Sequence, residues 1–147
     1  MGIVLFKEES FAEAKQYLET AHEMLPSYTG YPSPALVLAQ IYEREGNQQS
    51  RLQWLEVLME NLQHDYGSAM VLAEAALEDS DFEQAAYFLD RAIQVDPYRS
   101  EVHELKARYA EAVNDSAAAV TEYEVLMQLE ISDPVEALTN LAQAYLN

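Results

Sequence analysis

Apolar residues return to the same places along this chain every 34 positions. With windows 32–65, 66–99 and 100–133 aligned, the eighth slot holds Ala39, Ala73 and Ala107, always small. The twenty-fourth holds Leu55, Leu89 and Tyr123, always large and apolar. Inside each window the apolar positions recur at helical spacing, stop at a short polar turn, and resume at helical spacing. Self-similarity at a fixed period of about 20 to 50 residues marks a stacked-repeat solenoid, in which each helical hairpin buries one side against its neighbour.

The middle window shows the pattern most plainly. Met70, Ala73, Ala76 and Leu77 form a stripe on a first helix over 67–78, and Asp79, Ser80 and Asp81 break it. Asp81 with Gln84 reads as a capping box, whose side chains satisfy free backbone groups at the next helix start. Phe82, Ala85, Ala86, Leu89, Ala92 and Ile93 then share one face until Pro97, which cannot continue a helix. In the window before, Leu36, Ala39, Ile41 and Tyr42 precede a Gly46–Asn47 turn, and Leu52, Leu55, Val57 and Leu58 follow it. In the window after, Val102, Leu105, Ala107 and Tyr109 precede Asn114 and Asp115, and Ala119, Tyr123, Leu126 and Met127 follow.

Both flanks follow the same grammar. Ser10 with Glu13 predicts another capping box, with Phe11, Ala14, Leu18 and Ala21 in second-helix slots and Pro26 as the stop. The apolar opening from Met1 to Phe6 reads as the tail of a helix. At the other end, Asp133 as N-cap, Pro134 in the first turn and Glu136 at capping-box spacing open a helix carrying Leu138, Leu141, Ala142 and Tyr145. One domain over 1–147 is expected: a partial repeat at 1–31, full repeats at 32–65, 66–99 and 100–133, and a half repeat at 134–147. Such half repeats at both ends are what a piece of a longer protein would present. Between the first two hairpins, 26–34 exceeds the period by about three residues and reads as a connector that sets Ser33 as N-cap with Pro34 behind it, leaving Tyr28 and Tyr31 exposed.

These residues resemble the tetratricopeptide repeat family over nearly the whole chain. Leu72, Ala73, Ala85, Leu89, Ala92 and Pro97 match the family's pattern in the middle window. Departures occur at Arg51 in a small slot, Leu58 in a second, Lys106 in an apolar one, and Gln63 and Ile131 in the proline slot. The resemblance implies an all-α, right-handed α-solenoid of tetratricopeptide-like helix-turn-helix repeats. It further implies a concave groove, lined by successive first helices, that takes up a peptide or helix of a partner. The residues in the groove-facing slots are Leu36, Gln40 and Glu43, then Met70, Glu74 and Leu77, then Glu101, Glu104, Arg108 and Glu111, with Glu136, Thr139 and Gln143 from the half repeat. Family members that grip the C-terminal carboxylate of chaperone tails use Lys, Asn and Arg in the groove. The corresponding slots here hold Leu36, Gln40, Met70, Glu101 and Leu105, which argues against that ligand.

Charge sharpens the expectation about partners. The chain carries 26 acidic and 8 basic residues, a net charge of −18, and the stretches 52–90 and 109–147 contain no Lys or Arg. Such a field repels phosphate backbones and anionic lipid surfaces, so neither nucleic acid nor a membrane is expected as partner. An acidic floor with apolar islands at Leu36, Met70 and Leu77 suits a basic amphipathic helix. Solubility alone is the plainer explanation of the same charge. There is no apolar run of about 18 residues and no signal-peptide pattern, so a soluble protein is expected, the cytoplasm being favoured over the periplasm.

No catalytic, cofactor or metal site is expected. Cysteine is absent. His22-Glu23 and His103-Glu104 begin like zinc-protease motifs, but Pro26 and Ala107 stand where the second histidine belongs. Asp79, Asp81, Glu83 and Asp90 suggest a calcium loop, yet Gln84 occupies the glycine position. His22, His64 and His103 read as helix-surface residues, and Trp54 as partly buried against the core. The expected function is non-catalytic protein–protein interaction or scaffolding. The alternatives are a regulatory or targeting module of a larger enzyme, and self-association through Leu138, Leu141 and Tyr145.

Overall fold

The computed structural model describes residues 1–7, 10–62, 64–129 and 134–146. Among them lie nine α-helices and no strand: α1 (Gly2–Lys7), α2 (Phe11–Met24), α3 (Pro34–Arg44), α4 (Gln48–Asn61), α5 (Tyr66–Glu78), α6 (Phe82–Val95), α7 (Ser100–Ala112), α8 (Ser116–Gln128) and α9 (Pro134–Leu146). The chain forms two compact units, Met1–Ser68 and Ala69–Asn147.

One turn design joins α3 to α4, α5 to α6, and α7 to α8. Gly46, Ser80 and Asn114, spaced at 34, all have positive φ, at 71°, 60° and 59°. A left-handed residue after a helix lets the chain reverse while its last carbonyls stay paired. Accordingly the next residue donates back five positions: Asn47 N–H to the Tyr42 carbonyl, Asp81 to Ala76, Asp115 to Ala110. That same residue then caps the following helix. Asn47 accepts from Ser50 N–H, Asp81 from Gln84 and Asp115 from Ala118, at 3.0–3.1 Å. Two residues therefore close one helix and open the next.

Serine caps differ. Ser33, with ψ 156°, accepts from Leu36 N–H at 3.2 Å, as the sequence predicts, and Pro34 starts α3. Ser10, with ψ 61°, makes no side-chain cap bond, so the expected box with Glu13 is not formed. At Asn47, Asp81 and Asp115 ψ lies near 80° and the side chain, one atom longer than serine's, reaches the backbone donor. Asp133, the expected cap of α9, lies outside the described residues, as do the side chain of Glu136 and the whole of Gln63 and Ile131.

In the first unit Ala14, Leu18, Val37, Leu38 and Ile41 form a buried cluster, with Phe6, Phe11 and Trp54 packed against it. The partial burial of Trp54 agrees with the sequence reading. Ala21 does not join the stripe; the 3.6-residue period carries the apolar face of α2 on to His22, which meets the Trp54 ring edge-on at 5.2 Å. In the second unit Ala107, Ala110, Ala119, Tyr123, Leu126 and Ala144 are buried together, with Leu141 beside them. Met127 is 40% exposed, because the inward direction at that turn of α8 belongs to Leu126. Small slots stay small where helices meet: Ala39, Ala73, Ala85, Ala107 and Ala119 are all buried. Arg51, in the corresponding slot of the first hairpin, is accommodated by sending its guanidinium to Glu43 on α3, 2.8 Å away.

Candidate functional site

The first-helix residues of the second unit lie on α5 and α7. Glu74 and Arg108 occupy the same slot one period apart, and Arg108 Nη1 donates to Glu74 Oε1 at 3.3 Å. That contact sets slot nine of the two helices side by side on one surface. Met70 and Leu77 flank Glu74 on α5 and are half-buried, leaving part of each side chain at the surface. On α7, Glu101, Glu104, Arg108 and Glu111 are exposed at one-turn spacing. Glu101 stands in the first turn, where a helix N-terminus favours negative charge.

The carboxylates of this face are not equivalent. Glu74 is held by Arg108. Glu111 accepts from the Tyr123 hydroxyl at 2.8 Å, so it serves to tie α7 to α8 as well as to line the surface. The Tyr123 phenol is pushed up to about 12, first by burial and then by that bond to an anion. Among the described residues, Glu101 and Glu104 have no side-chain partner.

The first unit presents Leu36 and Gln40, both half-buried, and exposed Glu43 on α3. Glu43 is engaged by Arg51. Lys15 Nζ lies 2.8 Å from both oxygens of Glu45 and 4.9 Å from the Tyr42 ring centroid, and the Glu45 bond holds its ammonium above the usual lysine range. Arg44 stacks over Phe6 at 4.7 Å. Thr139 and Gln143 of the half repeat are exposed on α9, together with Val135, Leu138, Tyr145 and Leu146. Tyr145 still donates its hydroxyl to Glu124 on α8, at 2.9 Å. In the loop at 26–34, Tyr28 and Tyr31 are exposed.

One polar centre escaped the sequence reading. His103, expected on the helix surface, is buried: Nδ1 lies 2.7 Å from Glu122 Oε2, and Nε2 lies 3.0 Å from the Pro97 carbonyl. Lys106 Nζ reaches the other oxygen of Glu122 at 2.8 Å, which accounts for a lysine in an apolar slot. This trio fastens α7 to α8 and to the turn that precedes it. The only available sequence signal was the spacing of 19 residues between His103 and Glu122, which joins facing positions of a helical hairpin. Of the other histidines, His22 is half-buried against Trp54 and His64 is exposed. Among the described residues no three His, Asp or Glu side chains converge as metal ligands would. Nor is any described helix long and apolar enough to cross a membrane.

No family model matches the sequence, and no curated protein matches it either. Solved structures do. MamA superposes over 99% of this chain and 83% of its own, with a TM-score of 0.73 at 15% identity. The first tetratricopeptide domain of Spaghetti (RPAP3), bound to an HSP90 peptide, covers 76% of this chain and 90% of its own, with a TM-score of 0.64 at 18% identity. The fold is the α-solenoid of the tetratricopeptide repeat proteins. TTC0263, a tetratricopeptide protein of Thermus thermophilus, agrees over 99% of this chain and 78% of its own, at a TM-score of 0.57 and 22% identity. At these identities the likeness concerns the path of the helices. The surface chemistry of this chain is set by its own residues.

Proposed function

We propose that this chain is a non-catalytic protein-interaction module whose first-helix faces take up a peptide or helix from a partner. The observation that supports the reading is the Glu74–Arg108 contact, which joins slot nine of α5 to slot nine of α7. That surface combines half-buried apolar side chains, Met70 and Leu77, with exposed carboxylates at Glu101 and Glu104. An amphipathic helix laid apolar side down meets both features at once, provided its flanks are basic.

The HSP90 peptide bound to the Spaghetti domain, SRMEEVD, is acidic. A ligand of that kind fits this chain poorly. Leu36, Gln40, Met70, Glu101 and Leu105 supply no cation in the slots that the resemblance assigns to carboxylate binding, and Glu101 would repel it. The partner class favoured here is therefore a basic amphipathic segment, with apolar residues for Met70 and Leu77 and Lys or Arg for the glutamates.

The test is a synthetic amphipathic helical peptide with leucines on one face, lysines on its flanks and no acidic residue, titrated by fluorescence anisotropy. Wild-type protein should bind it. Glu101→Lys with Glu104→Lys should weaken binding by about tenfold or more while leaving the helical circular dichroism unchanged, since both residues are exposed. Equal affinity in the double variant would remove these carboxylates from the account.

A further inference from the structure

Resting on the reading just given, the geometry points to Arg108 as an internal competitor for the ligand's cation. Arg108 is the one base among the floor residues of the second unit, at the centre of a surface otherwise set for positive charge. Its guanidinium lies on Glu74, an acid that stands between the two apolar contacts Met70 and Leu77. A basic side chain of a bound segment that seeks Glu74 meets Arg108 already there. The protein thus supplies, one period along its own chain, the same chemistry that the ligand would bring.

The contact is built to be displaced. The N–O distance is 3.3 Å, and the side chains of Arg108 and Glu74 are 52% and 54% exposed. An ion pair of that exposure contributes little and is readily exchanged for another. By contrast, Lys106 and Arg51 hold their carboxylates at 2.8 Å with less of each base exposed, 28% and 22%, and fasten one helix to the next. Arg108 spans two first helices, where a ligand would lie. Its consequence is a modest selectivity: a segment with several cations and a matching apolar face replaces Arg108 more readily than a weakly basic one.

The experiment uses the full chain and the lysine-flanked leucine peptide named above. Arg108→Gln should bind this peptide about two- to fivefold more tightly than wild type at low salt, the range expected for one exposed charge contact. The gain should shrink toward nothing at about 300 mM salt, as screening shortens the reach of surface charges. Arg108→Lys should behave like wild type. Arg91→Gln is the matched control: it also removes one positive charge from the second unit, but Arg91 lies on α6 with Tyr87, whose hydroxyl it meets at 3.0 Å. An equal gain in Arg91→Gln would assign the effect to overall charge and overturn the inference. So would wild-type binding that Arg108→Gln leaves unchanged or weakens. If neither wild type nor Arg108→Gln binds the peptide, the proposed function falls and the inference falls with it.

Discussion

At the scale of single residues, the three hairpin turns make the same demand of the backbone and answer it differently. Gly46 meets positive φ without cost, and no neighbouring atom lies within 4 Å of where a Cβ would stand. Asn114 tolerates the left-handed region through its short polar side chain. Ser80 has neither advantage, and it is exposed, so its side chain contributes no packing in return. Ser80→Gly should therefore raise stability by about 0.5 kcal/mol, and Gly46→Ala should lower it by about 1 kcal/mol with no clash involved. Urea denaturation measures both. A loss of stability in Ser80→Gly would show that the serine makes an interaction outweighing its backbone strain.

Between elements, the second unit is held by apolar burial and by polar ties from α7 to α8. Tyr123 belongs to both, with a buried ring and a hydroxyl on Glu111. Its folded-state pKa of about 12 exceeds the ordinary 10, so the fold favours the neutral phenol. The associated stability is complete below about pH 10 and is lost as pH rises from there toward 12. Tyr123→Phe should be less stable than wild type at pH 8, by about 1 kcal/mol for the lost bond, and should show a smaller further loss by pH 11. Urea midpoints at the two pH values check this. Parallel alkaline losses in both proteins would mean that other groups drive the transition.

Sequence made the helices and their turns legible because both depend on neighbours in the chain. Asp81 and Gln84, or Ser33 and Pro34, are a few residues apart, and the physics that links them is local. Ser10 shows the limit even there, since its capping depended on a ψ angle that composition does not specify. The pairings that shape the candidate faces were not legible. Glu43 with Arg51, Glu111 with Tyr123, and His103 with Glu122 join different helices, and each depends on which rotamer a long side chain adopts in the packed hairpin. A row of glutamates in floor slots thus resolved into two kinds, those occupied by the protein itself and those left facing solvent.

For the whole molecule, the net charge of −18 sets the terms of association. Lys15, Arg51, Arg99, Lys106 and Arg108 each sit within 3.3 Å of a carboxylate, so much of the scarce positive charge is spent locally. What remains at long range is a negative field that speeds encounter with basic partners and opposes acidic ones. Such steering is sensitive to ionic strength, whereas apolar contacts such as those proposed for Met70 and Leu77 would not be weakened by salt. The salt response of binding therefore separates a working acidic surface from one that merely keeps the protein soluble. The most direct measurement is the affinity of the wild-type chain for the lysine-flanked leucine peptide at about 50 and about 300 mM salt. Binding at low salt should weaken severalfold at high salt without vanishing. Absence of binding at low salt, or an affinity indifferent to salt, would contradict the proposed function.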